Sequence, residues 1–443
     1  MSLNNRYSYG WRDRRQGTGS RPFPKRPGAR GASLFFWAGA VLGAVLLLFF
    51  AGTWIYGMIG PGERGHPDPP APGAPSAGKG PQSPEAFALD ELDWSSAQLS
   101  DHFVLDHNGS SMTVESTLDP GLQNYITDLL GRSQTLQAAV VVVRPDDGRV
   151  LAMVSYDKNG NGDELCLKAD FPAASLFKIV AAAAALETAG FTPQKPVYYN
   201  GRKYTLYKQQ LKQQHNRYTR ELPFMKAFGL SINPVFGKLG IYHLGRERMT
   251  ACAEKFHFNE AIPFDLPLQK SVVEVPSHEF GLAEIATGFN KMTRISPLHA
   301  ALLAATVAND GIMMKPWLIK RVFGENGELL YQNEPESLGA AMTRHTAQDM
   351  KTLMQSTVTS GTCRRTFWKI RRKNCFRGVE MGAKTGTIND RTDRFKYDWL
   401  TAFVLGPDRE KAICLSVMGV HGKRLGIRAN MLGRYIIDHY FSS

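Results

Sequence analysis

Ser175-Leu176-Phe177-Lys178-Ile179-Val180-Ala181-Ala182-Ala183-Ala184-Ala185-Leu186 begins with two polar groups and continues as an almost wholly apolar, alanine-rich run. A helix that is greasy on every face must be surrounded by protein. The stretch therefore predicts a central core helix over Ser175–Ala189 with Ser175 at its start. Working outward, Ala138–Val143 and Arg149–Ser155 read as apolar strands joined by the turn Pro145-Asp146-Asp147-Gly148. Trp399–Leu405 and Lys411–Val420 form a second strand pair around Gly406-Pro407-Asp408, and an amphipathic helix from about Leu425 to Tyr440 closes the chain. Strands from both ends with helices between them predict an α/β (α+β) fold: an antiparallel sheet flanked by helices, plus a helical lobe. Residues 222–350 read as mostly helical, including Leu222–Leu230 and Pro297–Asn309.

The net charge of +13 is unevenly placed. Residues 1–33 hold eight arginines and lysines against Asp13 alone, so more than half the excess sits in one Pro/Gly-rich arm. Leu34–Ile59 follows without a charge, long enough to cross a hydrocarbon core of about 30 Å. A basic flank before such a span predicts a single transmembrane helix, with a cytoplasmic N-terminus and the remainder outside the cell. Residues 60–86 are a proline-rich linker, expected to be extended. Residues 87–115 form a short region containing a hairpin around Asn108-Gly109, and residues 116–443 the main domain. Pro120–Leu130 reads as a helix with Asp119 at its N-terminus.

The chemistry is carried by three short motifs. Ser175 and Lys178 are three apart, so on a helix their side chains share a face. A serine hydroxyl needs a base to become a nucleophile. A lysine can serve once burial or a second cation lowers its pKa, and Lys384 is the candidate for that cation. Ser231-Ile232-Asn233 offers a hydroxyl to relay a proton and an amide to hold a carbonyl, both projecting from a short turn. Lys384-Thr385-Gly386-Thr387 reads as a strand on which Lys384 and Gly386 face one side. Gly386 leaves space there, while Lys384 and the Thr387 hydroxyl can bind a carboxylate. Alone, each motif has a bland alternative: a capped helix, a polar turn, a charged strand end. Ser76-Ala77-Gly78-Lys79 even repeats the first pattern inside the linker.

Taken in order, the trio resembles the transpeptidase domain of penicillin-binding proteins. The resemblance runs from about Ser116 to the C-terminus. It includes Ser116-Thr117-Leu118-Asp119, Phe171-Pro172, Ser296-Pro297, Ala308-Asn309-Asp310-Gly311 and Ser360-Gly361-Thr362. It implies a serine penicillin-recognising fold with Ser175 as the acylated nucleophile, Lys178 as its base, and Ser231 and Lys384 as catalytic partners. It implies Asn233, Thr385, Gly386 and Thr387 as substrate-binding positions, with the backbone N–H groups of Ser175 and Thr387 as oxyanion donors. The implied activity is D,D-transpeptidation of peptidoglycan stem peptides, inhibited by β-lactams, without a cofactor. A D,D-carboxypeptidase, a β-lactam sensor and a non-catalytic partner in a wall-synthesis complex share these features. The length leaves no room for a glycosyltransferase domain, so a separate glycosyltransferase is the expected partner.

Cys363 and Cys375, flanking a basic loop that departs from the family pattern, are the disulfide candidates, while Cys414 lies in an apolar run and reads as a buried thiol. No cysteine or histidine has zinc spacing, and no metal is expected. Asp157, Asn159, Asn161 and Gly162 imitate a calcium loop, but Lys168 occupies the position that needs a bidentate Glu. Residues 198–220 interleave tyrosines with lysines and arginines. Such a surface suits nucleic acid, but the external topology argues for glycans or anionic wall polymers instead.

Overall fold

A strand that is apolar at every position needs cover on both faces, and Ala138–Val143 has it. The computed structural model describes residues 99–443 except Asn108, residues 161–163 and Arg391, together with Leu89 and Trp94. The basic arm, the span at 34–59 and the linker lie outside the described residues. Among the described residues no helix is long and apolar enough to cross a membrane.

The hairpin forms as β1 (His102–His107) and β2 (Ser110–Ser116), and α1 (Pro120–Gly131) follows with the Asp119 carboxylate accepting from the Leu122 N–H. Then come β3 (Gln137–Val143), β4 (Val150–Asp157) and the central helix α2 (Lys178–Thr188). The lobe contributes the short strands β5 (Pro196–Tyr199) and β6 (Arg220–Pro223), then α3 (Phe224–Gly229), α4 (Asn233–Leu239), α5 (Glu279–Thr287) and α6 (Pro297–Ala308). After them are β7 (Ile319–Phe323), β8 (Leu329–Gln332), α7 (Arg344–Thr359), β9 (Glu380–Asn389), β10 (Lys396–Leu405), β11 (Ala412–His421) and α8 (Ala429–Ser442).

The main sheet has the order β9-β10-β11-β3-β4 and every pair is antiparallel. Both chain regions predicted to close it therefore do so. Alternation divides its side chains between two cores. Ala139, Val141, Val143, Cys414, Met418 and Phe403 face α2 and α6. Ala138, Val140, Val142, Ile413, Leu415 and Leu400 face α1 and α8, where they meet Leu122, Ile126, Leu432 and Ile436. The result is a three-layer arrangement, helices on both sides of one sheet. Every residue of α6 is buried, as its apolar composition requires.

Three expectations change. Residues 222–350 are not mostly helical, because β7 and β8 join the first hairpin in a second sheet of order β1-β2-β7-β8. That pairing also carries β2 across the anticipated boundary at residue 116. The helix expected from Leu222 starts at Phe224, because Pro223 holds an extended backbone at φ −62°, ψ 148° and ends β6. Finally, Cys363 and Cys375 are both free thiols. Cys363 is buried in the core with Phe367, Ile370 and Phe376, whereas Cys375 is exposed with its sulfur 3.6 Å from Ser442 Oγ. Those apolar side chains pin the basic loop without a covalent tie. Cys414 is buried, as its strand position implied.

Candidate active site

Ser175 does not begin an α-helix. Ala174–Phe177 is a 3₁₀ turn, and α-helical bonding starts at Lys178. In a 3₁₀ turn residues i and i+3 eclipse, which sets the Ser175 hydroxyl over the Lys178 amine at 2.9 Å. Ala174 stands at φ +48°, a left-handed conformation that costs an L-residue about 1–2 kcal/mol. Gly288, the left-handed C-cap of α5, explains how that turn is held. A Cβ there would lie 1.7 Å from the Ala174 carbonyl oxygen, so only glycine lets the α5 terminus reach the turn.

The Lys178 side chain is wholly buried. Its amine is 2.8 Å from Asn233 Oδ1, 2.5 Å from the Thr287 carbonyl and 2.9 Å from Ser175 Oγ. Two of these partners can only accept. The third, a hydroxyl, can also donate. The charged amine can donate to all three oxygens; once deprotonated, it keeps two N–H groups for the carbonyl oxygens and turns one lone pair to the serine O–H. Burial pushes the Lys178 pKa well below that of a free lysine, and the nearby Lys384 charge pushes it the same way.

Lys384, on β9, is also wholly buried. Its amine donates to Ser231 Oγ at 2.9 Å and to the Thr385 carbonyl at 2.8 Å. Burial takes its pKa down to about 7. Aromatic rings shield both amines: Phe236 lies 5.5 Å from the Lys178 nitrogen and Phe228 lies 5.6 Å from that of Lys384. Ser231 occupies the turn between α3 and α4 at φ +55°, a second strained residue at the site. Strain of this kind persists where the surroundings over-determine the backbone. Asn233 opens α4, followed by Pro234. Its backbone N–H donates to the Lys203 carbonyl at 2.7 Å and its side-chain amide to the Tyr204 carbonyl at 3.2 Å.

The structure thus brings Ser175, Lys178 and Asn233 into one hydrogen-bonded set and Ser231 with Lys384 into another beside it. The remaining motif residues are placed differently. Gly386 gives its clearance to the nucleophile turn: a Cβ would stand 3.2 Å from Ala174 Cβ and 3.4 Å from the Ser175 nitrogen. Thr385 bonds to the Thr362 hydroxyl at 2.8 Å. Thr387 is exposed and donates to Asp398 Oδ1 at 3.2 Å, away from the Lys384 amine because successive strand residues face opposite sides. Asp398 is buried and accepts from Arg428 at 2.7 and 3.0 Å and from the Ala429 N–H at 2.9 Å. β9 lies at the sheet edge, paired with β10 alone, so its outer side can add an extended peptide as a further strand.

Three contributors escaped the sequence reading, the Thr287 carbonyl, Gly288 and Asp398, while Thr362 was legible only within the Ser360-Gly361-Thr362 segment, with no role attached. Gly288 carries a local signal as a glycine ending a helix. The Thr287 carbonyl and Asp398 act through partners up to 109 residues away, with no local trace. Among the described residues no group of three His, Cys, Asp or Glu side chains could hold a metal.

Comparison with known proteins gives the family of the chain. Residues 138–434 match the family described as the penicillin binding protein transpeptidase domain. The chain is 26% identical over 368 residues to the peptidoglycan D,D-transpeptidase PbpA of Mycolicibacterium smegmatis, covering 72% of this chain and 70% of that protein. Penicillin-binding protein A of Mycobacterium tuberculosis, solved as an imipenem acyl-enzyme complex, superimposes with a TM-score of 0.60 at 23% identity, covering 74% of this chain and 78% of that one. The D,D-transpeptidase domain of a peptidoglycan glycosyltransferase from Eggerthella lenta gives a TM-score of 0.59 at 23% identity, covering 74% and 82%. The chain belongs to the penicillin-binding protein transpeptidase family.

Proposed function

We propose that this member of the penicillin-binding transpeptidase family is a serine D,D-transpeptidase that cross-links peptidoglycan stem peptides from the outer side of the cytoplasmic membrane. The observation that carries the reading is the Lys178 amine: wholly buried, lowered in pKa, and 2.9 Å from the Ser175 hydroxyl. Ser175 Oγ attacks the carbonyl of the penultimate D-Ala of a donor stem peptide while Lys178 takes its proton. The backbone N–H groups of Ser175 and Thr387 stabilise the oxyanion as it forms. Breaking the C–N bond releases D-Ala, whose amine receives a proton through Ser231, bonded to Lys384. An amine from a neighbouring stem peptide then attacks the ester, and Ser175 regains its proton.

Asn233 holds both the base and the substrate amide, while the free edge of β9 lines up the donor peptide. The Thr385 and Thr387 hydroxyls, which share one face of β9, receive the terminal carboxylate, while the Lys384 amine stays bonded to Ser231. A β-lactam enters the same path and stops at the acyl-enzyme. Anchoring through Leu34–Ile59 and cooperation with a separate glycosyltransferase belong to this reading.

Labelling of the full-length chain with a fluorescent penicillin tests it. Stable labelling of the wild type and none of Ser175→Ala is expected; a folded wild type that takes no label refutes the acyl-enzyme. Stem-peptide substrates then separate the acceptors. Release of D-Ala without a cross-linked product refutes transpeptidation in favour of a carboxypeptidase.

A further inference from the structure

Residues 191–240 carry nine lysines and arginines against the single carboxylate of Glu221. Among the described residues none of the nine forms an ion pair. The excursion between β5 and β6 that holds most of them is firmly built. The Thr219 hydroxyl donates to Asn200 Oδ1 and the Asn200 amide to the Gln214 carbonyl, both at 2.9 Å. The buried Gln210 side chain accepts from the Tyr207 N–H and donates to the carbonyls of Asn200 and Arg202. Leu206 and Leu211 pack on Ala283. With these residues turned inward, Arg202, Lys208, Lys212 and Arg217 are left exposed. So are Tyr204, Tyr207 and Tyr218, at 60%, 64% and 66%. Large exposed aromatics beside unneutralised cations mark a recognition surface.

A cavity of about 280 Å³ opens on the flank of this excursion, walled in part by Phe191, Lys195, Tyr198, His215, Lys238 and Tyr242, with no carboxylate in its lining. The Lys238 amine has only the Tyr198 carbonyl, at 3.5 Å, and burial lowers its pKa. Val235 and Leu239 of α4 also line the cavity. Asn233 opens that same helix, so at 1.5 Å per residue the cavity wall lies within about 9 Å of the active-site amide along the helix axis. The excursion touches the site as well, since the carbonyls of Lys203 and Tyr204 accept from Asn233.

We propose that this edge of the lobe binds the anionic glycan strand of the wall polymer, a partner that rests on the function proposed above. The tyrosine faces cover sugar rings, and the free cations take the carboxylates of uncross-linked stem peptides. A strand held there is presented directly beside Asn233 and Ser175. The positive charge and the absent carboxylates favour an anion. The flat aromatic faces and small cavity favour a saccharide over a polymer read by charge alone.

Co-sedimentation of the full-length chain with purified peptidoglycan sacculi, with fluorescent-penicillin acylation measured in the same samples, tests the proposal. The variant Arg202→Gln/Lys208→Gln/Lys212→Gln/Arg217→Gln is expected to bind about thirtyfold more weakly, at roughly two- to threefold for each surface ion pair lost. Acylation by the small penicillin is expected to persist. The charge-conserving variant Arg202→Lys/Lys208→Arg/Lys212→Arg/Arg217→Lys should bind as the wild type does, and Tyr207→Ala/Tyr218→Ala should weaken binding without changing the charge. Equal sedimentation of the wild type and the glutamine variant overturns the proposal. So does displacement of sacculi by a single-stranded oligonucleotide of equal charge, which would make the patch a general polyanion surface. Loss of acylation in the wild type refutes the acyl-enzyme reading instead, because sedimentation is read independently.

Discussion

Gly288→Ala is the sharpest probe of how the nucleophile is held. The new Cβ would stand 1.7 Å from the Ala174 carbonyl oxygen and 3.1 Å from the Ser175 nitrogen. Non-bonded heavy atoms settle at about 3.5 Å, so the α5 terminus and the 3₁₀ turn must part by roughly 1.8 Å. The residue before Gly288 supplies the carbonyl that holds the Lys178 amine at 2.5 Å, so the same movement breaks that bond and releases the base. A misplacement of about 1 Å costs on the order of 100-fold in rate. The φ of +65° at this position adds about 1–2 kcal/mol of backbone strain for alanine. We expect the second-order rate of penicillin acylation to fall about 100-fold, and stability to fall by roughly 3 kcal/mol. Gly327→Ala is the control. It has φ +80° but nothing within 4 Å of the added carbon, so it should lose about 1 kcal/mol and keep its acylation rate. A folded Gly288→Ala protein that acylates within about threefold of the wild type would refute the role given to the α5 terminus.

Lys384 titrates near 7 in the fold against 10.5 for a free lysine. Across that window the unfolded chain binds more protons at this position, so stability rises with pH. Lys384→Met should flatten the rise seen by urea unfolding at several pH values between these limits, leaving the share due to Lys178; an unchanged slope refutes the assignment. In the same variant the acid limb of the acylation pH profile should move to higher pH, because the charge disfavouring protonated Lys178 is gone. Asp398→Asn should cost about 3 kcal/mol in chemical unfolding, since it breaks a buried carboxylate set that includes Arg428 and the Ala429 N–H. Wild-type stability attributable to this carboxylate should be lost as pH falls, because its pKa is strongly depressed by His421, whose Nε2 lies 3.8 Å away, and by the Arg428 hydrogen bonds, against the opposing effect of burial. In a thiol titration of the native protein only Cys375 should react, because the other four cysteines are buried. A mass two hydrogens short of the fully reduced chain would restore the Cys363–Cys375 disulfide.

Local pattern made much of the scaffold legible. Continuous apolar runs marked the sheet strands, because strands covered on both faces have few places for polar residues. Asp119 before Pro120 marked the start of α1. Pattern failed where a distant partner decided the outcome. Ile319–Phe323 became a strand because β2 offers it an edge, and Pro223 ended a strand rather than entering a helix. Cys363 and Cys375 looked paired on sequence distance alone, but the structure leaves both as free thiols, one buried and one exposed.

The sequence by itself determined which chemical groups are present: a serine and a lysine three apart, a hydroxyl and an amide two apart, and a lysine before a glycine on a strand. It also determined that the helix carrying the first pair is buried. Only the tertiary structure decided what those groups are. It made the first turn 3₁₀, brought the Thr287 carbonyl and Asn233 onto the Lys178 amine, and set Lys384 beside it under a roof of phenylalanines. It also gave the clearance at Gly386 to the nucleophile turn and directed Thr387 to Asp398. The physical reason is that a pKa and a hydrogen-bond direction belong to an environment. That environment is assembled from segments roughly 50 to 200 residues apart, whose contacts leave no mark in local sequence.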